Sequence, residues 1–196
     1  MIRLFALCLC LALTSPVFAQ AERSLNLLKG EEKAITPRYL LQDQNGRSIT
    51  NEDFYGRFQL IAFGYTFCPD ICPTTLTEMA AILKSLGENA SKLQPIFITL
   101  DPERDSAQVL KTYTEFFDPR IMGFTGPPAL VQRAAENFKI RFAKVPSKDG
   151  NPKNYAVDHG AGMFLLGPDG QFLKKFPFGM PVDQITQQIE KTLTSH

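Results

Sequence analysis

An excess of charge of one sign is missing from this chain. Its 21 Lys and Arg stand against 20 Asp and Glu, and the basic residues form no stripe. That balance argues against nucleic acid as a partner, because a phosphate backbone calls for a positive face. Internal repeats, low-complexity tracts and a mid-chain linker are missing too, so 196 residues read as one domain with a full core. Long apolar runs are absent. Leu4 to Leu13 is unbroken, but it falls short of the roughly 20 residues that a membrane span needs. Histidine and cysteine are scarce, at two and four residues.

Met1-Ile2-Arg3, the apolar run and Thr14-Ser15-Pro16-Val17-Phe18-Ala19 have the layout of a secretory signal peptide, residues 1–19, cleaved after Ala19 or Ala21. The competing expectation is an uncleaved anchor on the outer face of the inner membrane. Cleavage removes Cys8 and Cys10 and leaves Cys68 and Cys72 as the mature thiols. It deletes one base, Arg3, and no acid, so the mature chain is balanced. Export to the periplasm places the pair where disulfides persist unless something reduces them.

Residues 20–37 are polar and mixed, and read as an N-terminal arm before a domain spanning 38–194. Asn45-Gly46 between Leu40-Leu41 and Ile49 predicts a hairpin. Phe58 to Tyr65 and Pro95 to Leu100 are apolar runs of buried-strand length. Ile121 to Phe124 is a short third strand. Met163 to Leu166 and Phe172 to Phe176 flank the turn Gly167-Pro168-Asp169-Gly170 as a second hairpin. Helices are expected after the cysteines (Leu76, Met79, Ala80, Leu83 and Leu86 on one face), over Ser106 to Phe117 (Val109, Leu110, Tyr113, Phe116 and Phe117 inward), over Pro127 to Ile140, and at the end (Val182, Ile185, Ile189, Leu193). Strands alternating with helices predict an α/β fold with a central mixed sheet flanked by helices. A cysteine pair at the first strand-to-helix turn makes that fold thioredoxin-like.

Cys68 and Cys72 are separated by Pro69, Asp70 and Ile71, one residue more than in thioredoxin-type motifs. The spacing permits a disulfide and also lets both sulfurs point at one ion. Cys72 is expected at the helix start, where the dipole and free N–H groups favour its thiolate. In a thioredoxin-like sheet the loop before Met163 comes next to the cysteine turn, so His159 is expected to face both sulfurs, with Gly160 and Gly162 allowing close approach. Structural zinc wants four closed ligands, and beyond this S₂N set the mature chain has no further Cys and only the terminal His196. Soft Cu(I) accepts few ligands, and a Cys₂His set also suits Cu(II).

The run Gly64-Tyr65-Thr66-Phe67-Cys68-Pro69-Asp70-Ile71-Cys72-Pro73 resembles the signature of the Sco/SenC family of copper chaperones. So do Asp101-Pro102-Glu103-Arg104-Asp105 and Val157-Asp158-His159, and the likeness spans about Tyr39 to Leu193. The resemblance implies a thioredoxin-like fold and copper on Cys68, Cys72 and His159. It implies delivery of copper to the dinuclear copper centre of cytochrome c oxidase, or reduction of that centre's cysteines. The expected partners are the copper-site subunit of the oxidase or another copper protein, and a copper donor. Family members commonly carry Ser after this His and Asp before the Pro-x-Gly turn; Gly160 and Gly167 stand there in this chain.

Among nearby acids, Asp70 is expected either to orient a ligand or to cap the helix. Asp101 is a candidate to support His159 from behind, as is Asp158, for which a turn role competes. Asp105 reads as a helix cap, and Met163 as core. Two further readings compete with a chaperone: a thiol–disulfide oxidoreductase acting on protein clients or in redox and copper defence, and a peroxidase. The peroxidase lacks its P-x-x-x-T/S-x-x-C pattern, since Tyr65 stands three residues before Cys68. N-terminal sequencing of exported protein is expected to begin at Gln20 or Glu22; residue 1 retained in a membrane fraction would establish the anchor instead.

Overall fold

Phe58–Gly64 reads Phe-Gln-Leu-Ile-Ala-Phe-Gly, and all seven residues are buried. A strand buried on both faces needs cover on both, which places it mid-sheet. The computed structural model describes residues 35–151 and 154–195. The expected signal peptide and residues 20–34 of the arm lie outside the described residues. In chain order the strands are β1 (Leu40–Asp43), β2 (Ser48–Thr50), β3 (Phe58–Gly64), β4 (Leu93–Thr99), β5 (Met122–Thr125), β6 (Phe142–Pro146), β7 (Tyr155–His159), β8 (Met163–Leu166) and β9 (Phe172–Phe176). The α-helices are α1 (Ile71–Leu86), α2 (Ala107–Phe117), α3 (Pro128–Asn137) and α4 (Val182–Ser195).

Seven strands form one sheet in the order β2-β1-β5-β4-β3-β8-β9. β3 pairs parallel with β4 from Phe58↔Leu93 to Gly64↔Thr99, and antiparallel with β8 on its other side. β4 pairs parallel with β5, and the connections through α1 and α2 are the helical crossovers that parallel neighbours require. The expected hairpins are present, β1 with β2 and β8 with β9. This is the thioredoxin-like arrangement expected from the sequence. Among the described residues no helix is long and apolar enough to cross a membrane.

Packing follows from these runs. α1 buries Leu76, Met79, Ile82, Leu83 and Leu86, with Ile82 taking the place expected of Ala80. Phe63, Phe138 and Phe164 meet with ring centroids 5.2 to 6.1 Å apart. The one polar residue inside β3, Gln59, is satisfied: it accepts from the Tyr39 hydroxyl at 2.8 Å and donates to the Asn51 carbonyl at 3.2 Å. A buried amide left unpaired would cost about 1–3 kcal/mol.

Two expectations need correction. α2 buries only Leu110 and Thr114, while Val109 is exposed and Phe116 is 83% exposed. The cause is Gly123 on β5: a Cβ there would lie 2.8 Å from Leu110 Cβ, so the helix rests on β5 along the narrow Leu110–Thr114 stripe. And His159 is not in a loop. It ends β7, which pairs with β6 from Phe142↔His159 to Pro146↔Tyr155 as a two-stranded ribbon separate from the main sheet. Only Val157 of the ten ribbon residues is buried, so no apolar run marks these strands.

The two glycines after His159 differ. Gly162 has φ +123°, and a Cβ there would meet the Phe176 carbonyl oxygen at 2.5 Å, whereas a Cβ on Gly160 meets nothing within 4 Å. Gly162→Ala is expected to destabilise the protein by about 1–3 kcal/mol, and Gly160→Ala or Gly160→Ser by less than about 0.5 kcal/mol. Urea midpoints measure both; equal midpoints would contradict the assignment.

Candidate metal centre

The cysteine turn leaves β3 at Gly64 and enters α1 at Ile71. Its shape is fixed from below by Asp105. The buried Asp105 carboxylate accepts from the Thr66 N–H at 3.0 Å, from Thr66 Oγ1 at 2.5 Å and from Thr99 Oγ1 at 2.6 Å. Burial pushes its carboxyl above the usual carboxylate range, with the Asp101 charge adding to the rise and the three donors opposing it. The expected capping role of Asp105 falls instead to Ser106, whose Oγ accepts from the Val109 N–H.

Both cysteines are free thiols, Cys72 buried and Cys68 half-exposed. Cys72 owes its seat to Gly64, where a Cβ would come within 2.6 Å of the Cys72 sulfur and 2.8 Å of the Phe97 ring. Electrostatics divides the pair opposite to the sequence expectation. Burial opposes ionisation at Cys68, but the N–H groups of Asp70, Cys72 and Ile71 and the Cys72 thiol outweigh it and hold Cys68 below its ordinary value. Burial drives the Cys72 thiol far up, and the charges of Cys68 and Asp105 reinforce that despite an N–H from Tyr65. The helix N-terminus therefore serves the first sulfur and not the one on the helix, because the orphan N–H groups point back along the axis.

His159 is brought to Cys72. Its Nε2 lies 3.9 Å from Cys72 Sγ, and its Nδ1 lies 3.0 Å from the Gly160 carbonyl oxygen. A carbonyl only accepts, so that bond puts the proton on Nδ1 and turns the Nε2 lone pair toward the sulfur. Two bonds of roughly 2.0–2.3 Å at about 120° around one ion would separate their donor atoms by about 3.7 Å, so the pair fits a shared metal as it stands. The Tyr65 ring packs edge-on to the imidazole at 6.3 Å. Among the described residues no three His, Cys, Asp or Glu side chains are gathered as a metal cage, so the structure brings His159 to Cys72 without closing the expected three-residue set with Cys68. Such a donor set suits a soft ion held by few ligands.

The candidate acids separate. Asp70 stands at the N-cap position of α1 but works through its backbone: its N–H faces Cys68, its carbonyl accepts from Thr74, and its carboxylate is exposed without capping. Asp158 is exposed on β7 opposite Ala143, in a strand and not a turn. Asp101 is fully buried, and its carboxylate takes the Tyr155 hydroxyl at 2.8 Å and the Arg104 Nε, so it reaches the His159 strand through Tyr155. Met163 is core, as expected. Sequence reasoning missed Gly64, Arg104 and Tyr155. Gly64 and Arg104 lie inside the two motifs quoted above, which was the available signal; Tyr155 had none.

In reduced, metal-free protein, alkylation of Cys68 is expected to rise at a pH below the ordinary thiol range, while buried Cys72 stays unlabelled until unfolding. Mass spectrometry after iodoacetamide pulses across pH measures this, and equal rates at both sulfurs would contradict it.

Comparison with known proteins identifies the family of the chain. The SCO1/SenC family model matches residues 29–194. An SCO2-like protein of Rickettsia felis is 40% identical over 136 residues, 69% of this chain and 66% of that protein's length. The solved structure of Arabidopsis thaliana ScoI with copper bound is 32% identical with a TM-score of 0.77, covering 83% of this chain and 100% of the other. Bradyrhizobium japonicum ScoI with copper bound is 37% identical with a TM-score of 0.73, covering 81% and 99%. With a family match over residues 29–194, the chain belongs to the SCO1/SenC family.

Proposed function

We propose that this chain is a periplasmic copper-binding assembly factor that carries copper on Cys68, Cys72 and His159. Its client is the dinuclear copper centre of cytochrome c oxidase. The observation that carries the reading is the 3.9 Å approach of His159 Nε2 to Cys72 in a chain otherwise poor in both residue types. The copper-bound ScoI structures support it. So does the description of Sco as a family of cytochrome c oxidase assembly proteins. Copper is cargo here: three ligands with one open side hold an ion that a client must be able to remove. Protons compete for all three ligands, so affinity falls as the medium is acidified.

The same thiols support a second role, reduction of client cysteines, favoured by the half-exposed, activated Cys68 beside the buried Cys72. The Cys68 thiolate attacks one sulfur of a client disulfide, forming a mixed disulfide and releasing one client thiolate. Cys72, losing its proton, then attacks Cys68 and releases the second. Two electrons pass to the client, and the protein is left with a Cys68–Cys72 disulfide. An oxidised protein has no thiolates left for Cu(I), so the two roles exclude each other in time.

Copper titration tests the reading. Reduced protein is expected to take up Cu(I), and disulfide-bonded protein to take up none. His159→Ala is expected to weaken Cu(II) more than the roughly 10–100-fold seen for loss of a supporting residue, while Cu(I) stays on the two thiolates. An unchanged Cu(II) spectrum in His159→Ala would remove the histidine from the site and leave the thiol–disulfide reading.

A further inference from the structure

The imidazole of the site rides on a ribbon that is not hydrogen-bonded into the main sheet. Something must hold it against the cysteine turn. The Arg104 guanidinium lies 3.7 Å from the Tyr155 ring centroid, 4.7 Å from Phe67 and 5.9 Å from Tyr65. It therefore stacks on the first residue of β7 and on two residues of the cysteine turn. Its Nη2 donates to the Tyr155 carbonyl at 3.1 Å, and its Nε pairs with the fully buried Asp101 carboxylate. The Tyr155 hydroxyl donates to the other oxygen of that carboxylate at 2.8 Å. The only ion pair between the ribbon and this loop among the described residues, Lys144 with Glu103, is exposed on both sides and holds little.

We propose that Asp101, Arg104 and Tyr155 form a latch that docks the β6–β7 ribbon on the cysteine turn and so sets the distance from His159 to Cys72. Arg104 is the positioning residue. A planar, permanently charged fork can stack on rings and pair with a carboxylate at once, which a lysine cannot do. Asp101 is buried, and its carboxylate receives the phenol of β7 and the guanidinium of its own loop, so one group ties the ribbon to the loop that follows β4. Asp101 thus supports His159 through the strand and not by touching the ring. The latch leaves the sulfurs alone: Cys68 and Cys72 are placed by their own turn, by Asp105 and by Gly64. Opening it separates nitrogen from sulfur without disturbing the thiol pair.

The inference rests on the copper reading only for its consequence, so the test has one arm without metal. In reduced, metal-free protein, Arg104→Leu is expected to speed amide hydrogen exchange at residues 155–159 while exchange in β3 and β4 stays as in the parent protein. In the copper arm the same variant is expected to lose about 10–100-fold in Cu(II) affinity, with an altered thiolate-to-copper absorption band, while Cu(I) affinity holds. Tyr155→Phe keeps the ring under Arg104 and removes only the bond to Asp101. It is expected to shift both readings the same way by less, and it carries the test if Arg104→Leu does not fold. Unchanged ribbon exchange overturns the latch. So does faster exchange with the His159-dependent Cu(II) band intact, because the ribbon's docking would then not set the histidine. A parent protein with no His159-dependent band overturns the copper reading alone and leaves the exchange result to decide the latch.

Discussion

The buried carboxylate of Asp105 is the constraint on which the cysteine turn depends. It receives the Thr66 N–H and hydroxyl from the turn and the Thr99 hydroxyl from the end of β4, while its own carbonyl accepts from Thr125 at the end of β5. Thr66, two residues before Cys68, and the end of β4 thus meet on its side chain, and the end of β5 meets its backbone. Burial raises its carboxyl pKa, so this group's contribution to stability is full at pH values below the ordinary carboxylate range and declines as pH rises through the raised value. Its ionisation therefore adds no stability at neutral pH. Its return is geometric: an apolar replacement would strand a buried N–H and two hydroxyls, at about 1–3 kcal/mol each.

With the turn fixed, the helix that follows decides which sulfur is reactive. Side chains near a helix start see N–H groups that point out of the first turn, and a sulfur four residues before Cys72 is where those groups converge. Cys72, one residue into α1, sits at the end of the central strand β3 beside Gly64 and Phe97, where burial dominates. The result is one half-exposed, activated sulfur and one buried sulfur beside the imidazole. A symmetric pair would serve metal binding as well but would not give disulfide exchange a direction.

The parts legible in sequence were those whose burial is complete. β3 and β4 read as unbroken apolar runs because both faces are covered, and the thiol pair stood out between prolines at the strand-to-helix turn. The ribbon did not, because Phe142–Pro146 and Tyr155–His159 are largely exposed and leave no periodic trace. The inward face of α2 was overread because the rule of one apolar stripe ignores how closely Gly123 lets the helix approach. The order of the two thiol pKa values was beyond sequence altogether: it depends on where N–H vectors point, and residue spacing fixes only which residues are near.

Under the proposed copper-carrying role, the division of the site between a rigid turn and a separately docked ribbon bears on transfer. A carrier must hold an ion against water and still surrender it, and a closed four-ligand cage resists surrender. Here two sulfurs come from one covalent turn and keep their spacing whatever the ribbon does, while the nitrogen comes from a separate element held by one guanidinium and one phenol. Removing the nitrogen leaves a two-thiolate site that still suits Cu(I) but not Cu(II). Release can therefore proceed ligand by ligand, beginning with the donor whose support is weakest, and no core packing has to break.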